Sequence, residues 1–403
     1  MFQKLFYLSI FLDLSQIQIL IPFLAKFEMQ KIVTVIVILG VMFDSRLVNN
    51  MKSNFTGDHK KYLLILIAFI VMSVPFGVYP GNSLSFIIEV YWKTLVGYFL
   101  ILAYISTDED INKLIWSYVL AIGFLSLTII NDSDSGRLAI NEDVFDANDT
   151  AFLLLLGLPF LVWKFISLKG INKYFVAVLL IATMVALVKT NSRGAFLGLI
   201  AVYLVTITQI NRLQVGGLGK IIIASVIVIG VTVYYGGDVY FDRISTLLEP
   251  SKDYNVSDTH GRIQIWERGL DMMLSNPFFG VGVDNFISAD GMLYADIGAR
   301  YQAAHNSFIQ VGAEIGVIGL LMFILLIWRS VKPISIMLNT ESYMSVDNSF
   351  LINGSAIVGS WVAYVVSGSF LSAAFISSFY FLLAMSTVYI KIASSKDEIS
   401  GDV

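Results

Sequence analysis

Long apolar runs recur along the whole chain, and they restrict its fold more than any other feature. Each run has about 17–25 residues, so that one helix could cross roughly 30 Å of hydrocarbon. A transmembrane barrel would instead show short segments of alternating polarity. The composition agrees, because only 14% of the 403 residues are charged and 57% are hydrophobic. The sequence therefore predicts an all-α, polytopic membrane protein with the lipid bilayer as its solvent.

Twelve spans are predicted, in one integral membrane domain over 1–403. They cover 5–25, 31–43, 62–78, 86–105, 111–130, 150–168, 171–189, 194–210, 219–236, 305–328, 349–370 and 373–392. The N-terminal run has no cleavage signature of small residues, so we expect it to remain as a span. If the N-terminus is cytoplasmic, the short cytoplasmic loops hold most of the lysines and arginines. The positive-inside rule then places both termini in the cytoplasm.

The residue inventory excludes several kinds of chemistry. The chain has no cysteine and three histidines. A disulfide, a thiol nucleophile and a cysteine-ligated metal are therefore excluded. No segment fits a phosphate-cradling nucleotide loop, a dinucleotide fingerprint or a zinc-binding helix motif. We expect no cofactor, no metal site and no nucleic-acid partner, so a reaction must draw its energy from the substrate or from a gradient.

The segment 237–304, between the ninth and tenth predicted spans, is too long for a simple connector. Apolar residues at helical spacing predict an amphipathic helix over 262–275, with Asp258 or Thr259 as its cap. We expect this segment to lie on the membrane face or over a cavity. The apolar stripe consists of Ile263, Trp266, Leu270 and Met273.

Basic residues near the outer span ends are candidate ligand-binding groups. Charges at membrane depth usually face a cavity or a partner, although a lysine such as Lys189 can also snorkel to the interface. Arg193 is followed by two small residues, and its guanidinium suits bidentate phosphate binding. In the loop, Arg262 opposes the dipole at the predicted helix start, which hints at another task. Arg268 is interpreted as a solvated loop charge.

His305-Asn306 immediately precedes the apolar run of the tenth span. One interpretation is an interfacial histidine bonded to backbone. The other is a general base, because an imidazole near its unperturbed pKa can take a hydroxyl proton at neutral pH. His260 also lies in the outer loop and is the rival base. Glu314, deeper in the span, should face the bundle or a polar cavity rather than lipid.

These motifs, in their order along the chain, resemble those of the O-antigen ligase and polymerase superfamily. Its members are membrane glycosyltransferases of the C-type architecture. The ligase pattern is His, then Asn, Ser or Gln, nine residues, and Gly-x-x-Gly. Here it is His305-Asn306, "SFIQVGAEI" and Gly316-Val317-Ile318-Gly319. The segments "NSRGAFLGL", "GRIQIW" to "NPFFGVGVDNF" and "DANDTAFLLLLGLP" resemble other parts of the family. Together they mark 146–326 as a ligase-like core.

The resemblance implies an inverting enzyme of the bacterial inner membrane that acts on the periplasmic side without metal. Its donor would be a glycan linked to undecaprenyl pyrophosphate, and its acceptor lipid A core or a growing polysaccharide. Arg193 and Arg262 match the pyrophosphate-binding arginines, and His305 matches the proposed base. A ligase is favoured; a polymerase, a pilin-glycosylating enzyme and a lipid-linked glycan transporter are the alternatives. The candidate supporting residues are Asn306, Lys189, Glu314 and Arg268.

Overall fold

The computed structural model describes most of the chain as helices, and no strand occurs among the described residues. These residues are 1–130, 138–140, 145–213, 230, 232–237, 240–242, 244–245, 261–297, 299–340 and 348–401. The predicted all-α class is confirmed over this part of the chain. The predicted span 219–236 falls largely outside it, as do His260, Asp258 and Thr259.

The N-terminal part consists of short helices, one of which covers the second predicted span, 31–43. They are α1 Phe2–Leu14, α2 Ile17–Leu20, α3 Pro22–Lys26, α4 Met29–Phe43 and α5 Ser45–Asn54. The prediction of one continuous helix over 5–25 is wrong. Gln16 has a left-handed backbone with φ 50°, and Pro22, which lacks a backbone N–H, starts a new helix. A bend of 93° separates α4 from α5.

Longer helices make up the rest of the bundle. They are α6 Gly57–Ser73, α7 Pro80–Phe86, α8 Trp92–Tyr104, α9 Asp108–Ile130, α10 Ala147–Ser167, α11 Gly170–Lys189, α12 Arg193–Leu213, α13 Arg262–Ser275, α14 Phe286–Leu293, α15 Ser307–Met337, α16 Asn348–Gly368 and α17 Ser377–Gly401. A π-helical turn, Ile87–Tyr91, joins α7 to α8. Among the described residues, eight helices are long and apolar enough to cross a membrane, or nine if α4 and α5 form one span. The count of twelve stays a prediction.

Helix α10 lies at the centre of the bundle and packs against α9, α11, α12 and α16. The Ser360 hydroxyl of α16 donates to the Leu156 carbonyl of α10 at 2.7 Å, within this buried contact. The starts of α10, α12, α13 and α15 gather with the end of α16 at one end of the bundle, which we call the motif end. At the opposite end, the Arg329 Nε lies 3.1 Å from the Asp58 carboxylate.

Helix α15 is broken at Gly316, where the backbone is non-helical with φ 79° and ψ 178°. The loop between α13 and α14 bonds to the opened backbone. The Val281 N–H donates to the Ala313 carbonyl at 2.8 Å, and the Val317 N–H donates to the Pro277 carbonyl at 2.8 Å. Backbone groups freed by the break thus find partners in the outer loop. The predicted span 305–328 therefore contains a docking point for that loop.

Replacing Gly316 with alanine should destabilise the protein strongly. A Cβ there would lie 2.6 Å from the Phe278 carbonyl, and this backbone region is adopted almost only by glycine. We expect a loss of about 1–3 kcal/mol or more in unfolding free energy, measured by thermal unfolding in detergent. Gly81→Ala is the control, because a Cβ at that position meets nothing within 4 Å. Equal melting of Gly316→Ala and wild type would contradict this role for Gly316.

Candidate functional site

His305 is held between two anchors at the start of α15. Its own backbone is left-handed, with φ 47°, and its N–H donates to the Ser372 hydroxyl at 2.9 Å. Asn306 is the helix cap. Its side-chain oxygen accepts from the N–H groups of Phe308 at 2.9 Å and Ile309 at 3.2 Å. Asn306 therefore positions the histidine by fixing the start of the helix.

Ser307 ties the same segment to the chain between α16 and α17. Its buried hydroxyl donates to the Leu371 carbonyl at 2.7 Å and accepts the Ala373 N–H at 3.0 Å. The sequence analysis did not single out Ser307 or Ser372. No local pattern could have done so, because each bond joins residues more than 60 positions apart. His305 is thus fixed to one segment, 371–373, that is distant in sequence.

The start of α10 presents Asp146 at the motif end. Its carboxylate accepts from the N–H groups of Asn148 at 2.6 Å and Asp149 at 2.9 Å. The Asp149 side chain in turn accepts the Asp146 N–H at 3.2 Å, which completes a reciprocal cap. Both carboxylates are engaged in holding the helix start. Among the described residues, no group of three or more histidine, aspartate and glutamate side chains could hold a metal ion.

A tight turn places Lys189 and Arg193 at the motif end. Lys189 ends α11, and Arg193 is the first residue of α12. Asn191 makes the turn with a left-handed backbone, φ 52°, which asparagine tolerates better than most residues. The Ser192 hydroxyl accepts the Ala195 N–H at 3.5 Å. The side chain of Lys189 is half-buried, and its supporting role stays a prediction.

Helix α13 has the predicted bounds but buries a different face. It runs Arg262–Ser275 with Gly261 as its N-cap residue, while the predicted cap residues Asp258 and Thr259 lie outside the described residues. Two residues of the predicted stripe, Ile263 and Leu270, are exposed. The buried residues are Ile265, Arg268, Gly269 and Met272. This face is inward because Gly269 has no side chain and lets Ile309 of α15 approach closely.

Arg268 is a buried ion-pair residue, and its interpretation as a solvated charge is wrong. Its Nε donates to the Asp290 carboxylate at 2.6 Å, and both side chains are almost fully buried. The other Asp290 oxygen accepts the Gln302 N–H at 3.1 Å. Removing one partner of such a pair would leave an uncompensated buried charge. Arg268 therefore joins α13 and α14 to the segment that leads into His305.

Glu314 anchors the outer loop from within α15. Its two carboxylate oxygens accept the N–H groups of Asp284 at 3.0 Å and Phe286 at 3.3 Å. The residue is 2% exposed. Its position agrees with the expectation that it faces the protein interior rather than lipid. Its carboxylate is already bonded to the start of α14, so it serves the architecture of the site.

Four segments line one narrow cleft at the motif end, with about 10 Å³ of free volume. Arg262 lines it directly, and Arg193 lies between the lining residues Ser192 and Gly194 at the start of α12. His305 lies close enough to Arg262 and Asp146 for both charges to affect its pKa. The structure thus brings the three residues predicted from the sequence into one region. The lining consists of Asn148, Phe152, Ser192, Gly194, Ala195, Arg262, Ser367, Phe370 and Leu371.

The environment of His305 favours its neutral form. Burial, and to a lesser extent the positive charge of Arg262, lower the pKa of the imidazole from 6.5 to about 4, while Asp146 acts in the opposite direction. A cation is harder to form in a poorly solvated site beside another cation. At neutral pH the ring therefore has a free lone pair, which a proton acceptor needs.

The pH dependence of kcat/KM should report this lowered pKa of the free protein. We expect activity to fall only as the pH drops toward about 4, rather than near 6.5, and to be flat above about pH 6. Arg262→Gln should move the acid limb to higher pH, because it removes a charge that opposes protonation. The midpoint of the acid limb should stay below pH 6.5, since burial is the larger cause of the lowered pKa. A wild-type limb at or above pH 6.5 would contradict this environment.

Fold and site together define a polytopic helical membrane protein with a histidine and two arginines at one end of its bundle. Residues 175–324 match the family model described as O-antigen ligase, and this stretch contains Arg193, Arg262 and His305. The match confirms the resemblance to the O-antigen ligase superfamily and supports a glycosyltransferase-like enzyme of the ligase and polymerase type. No curated protein gives a significant match to the chain.

Proposed function

We propose that this protein transfers a glycan from undecaprenyl pyrophosphate to an acceptor hydroxyl, with lipid A core as the favoured acceptor. The observation that carries the proposal is the gathering of Arg193, Arg262 and a neutral His305 at one end of the helical bundle. A diphosphate leaving group needs cations, and a hydroxyl nucleophile needs a base. The match to O-antigen ligases supports a lipid-linked polysaccharide as the substrate class.

The reaction is a single displacement. The acceptor oxygen attacks the anomeric carbon while the bond from that carbon to the pyrophosphate oxygen breaks. The acceptor proton goes to a ring nitrogen of His305, and the electron pair leaves with the lipid pyrophosphate. Arg193 and Arg262 stabilise the charge that develops on this leaving group. One displacement inverts the anomeric configuration and requires only one base.

A polymerase would use the same donor and the same chemistry, with a growing lipid-linked glycan as the acceptor. The complete His-Asn to Gly-x-x-Gly pattern favours the ligase. The purified protein should therefore transfer labelled glycan from its lipid carrier to lipid A core in detergent. Formation of longer lipid-linked chains alone would assign a polymerase. Movement of the intact donor across vesicle membranes, without transfer, would contradict both and indicate a transporter.

The motif end should lie on the periplasmic side of the inner membrane, with both termini in the cytoplasm. Because the chain has no cysteine, single cysteines can test this directly. Ala295→Cys, exposed after α14, should react with an impermeant maleimide in spheroplasts. Ser53→Cys, exposed at the opposite end, should react only after the membrane is opened. The reverse labelling pattern would invert the proposed orientation.

A further inference from the structure

A second cavity, of about 480 Å³, opens at the bundle end opposite the motif end. It lies between the ends of α9, α10, α12 and α16, and it is much roomier than the cleft. Its lining combines polar side chains with an indole and aliphatic groups. The lining residues are Asn112, Trp116, Lys164, Ile166, Ser167, Leu168, Leu213, Asn348, Ser349 and Ile352. None of them belongs to the proposed transfer site.

Lys164 is the charged group of this cavity, and it is only 5% exposed. Its ammonium donates to the side-chain oxygens of Asn112 and Asn353, the second at 3.4 Å. It also lies 6.0 Å from the ring centroid of Trp116. All three partners are neutral. Within the described part of the chain, no carboxylate forms an ion pair with Lys164.

A buried cation without a counter-charge is costly, so such a site favours a ligand that supplies an anion. The neutral groups around Lys164 suit the oxygens of a phosphate, because the amides of Asn112 and Asn348 can each donate. The apolar part of the wall, with Leu168 and Ile352, continues into membrane-spanning helices. Basic pockets between such helices are typical binding sites for anionic lipid headgroups.

We propose that this cavity binds the phosphate of an anionic phospholipid, with Lys164 as its counter-charge. The cation and donors recognise the phosphate, and the apolar wall accommodates the start of the acyl chains. A free phosphorylated solute would present the same phosphate. The lipid is favoured because the cavity lies at the ends of spanning helices and is partly walled by aliphatic side chains.

Native mass spectrometry of the full-length protein tests the proposal, with phosphatidylglycerol and phosphatidylcholine as probes. Wild type should retain phosphatidylglycerol in preference to phosphatidylcholine. Lys164→Gln should weaken this retention by about tenfold or more, as expected for loss of a buried charge contact. Lys332→Gln, an exposed lysine at the same end that does not line the cavity, should not change it. Equal retention of both lipids by wild type would overturn the proposal.

A second variant tests the same site if Lys164→Gln fails to fold. Asn348 is exposed at the start of α16, where a carboxylate suits the helix dipole. Asn348→Asp should therefore fold while placing a negative charge in the cavity wall, and it should also lose phosphatidylglycerol. If both variants retain phosphatidylglycerol as well as wild type does, the proposed site is wrong. Displacement of the lipid by millimolar glycerol 3-phosphate would assign the cavity to a soluble phosphorylated ligand instead.

Discussion

His305→Ala should lower the single-turnover rate of glycan transfer by about 10²–10⁴-fold, the usual contribution of a general base. Donor binding should persist, because the arginines proposed to hold the pyrophosphate remain. The protein should also fold, since the Ser372 anchor bonds to the backbone N–H of this residue, which alanine keeps. The measurement is transfer from a purified lipid-linked donor, with donor binding measured on the same preparation.

His260→Ala is the matched comparison, because that histidine is the rival base two residues before Arg262. It should keep transfer within a small factor of wild type. Near-normal transfer by His305→Ala together with collapse of His260→Ala would move the base to the outer loop. Retention of the anomeric configuration in the product would contradict single displacement, whichever histidine is required.

Arg193→Lys and Arg262→Lys should each reduce kcat/KM through loss of about 2–4 kcal/mol of transition-state stabilisation, roughly 30- to 1000-fold. Lysine keeps the charge but lacks the planar fork that binds two phosphate oxygens. The loss is therefore expected even though the positive charge is kept, because the two-point geometry of the guanidinium is lost. For Arg262 the location supports this strongly, because its side chain lines the cleft itself.

Arg329→Lys provides the control, since that arginine is partly exposed at the opposite end and pairs with Asp58. It should leave transfer unchanged. If both cleft-region variants match it in activity and in donor binding, Arg193 and Arg262 are structural or interfacial residues. Loss of expression in one variant leaves the other to decide, because the two arginines begin different helices.

Local patterns predicted those parts of the fold that neighbouring residues determine. The bounds of α13 followed from the apolar spacing around Trp266, and the family-type motif identified the start of α15. The continuous first span failed because Gln16 and Pro22 interrupt an otherwise apolar run. Hydropathy measures how apolar a segment is, but it does not detect a left-handed residue inside it.

Long-range partners could not be predicted in this way. The charge of Arg268 predicted solvent exposure, but the side chain is buried because Asp290, 22 positions away, provides a counter-charge. The buried face of α13 likewise depends on the close approach of Ile309 at Gly269. For the site, the sequence identified the residues that could act chemically. It did not identify Ser307 and Ser372, which hold the segment around His305 in place through contacts with distant residues.

The break at Gly316 has a consequence for how the cleft can open. The loop bonded there, the Glu314 carboxylate and the Arg268–Asp290 pair join α13 and α14 firmly to the outer turns of α15. Arg262 and His305 therefore belong to parts of the chain that are bonded to each other, whereas Arg193 begins a separate helix of the bundle. If the cleft widens to admit a bulky donor, we expect the spacing of the two arginines to change more than the spacing between Arg262 and the imidazole. A pyrophosphate bound by both arginines would then connect the two parts of the site, with the proposed base already in place beside Arg262.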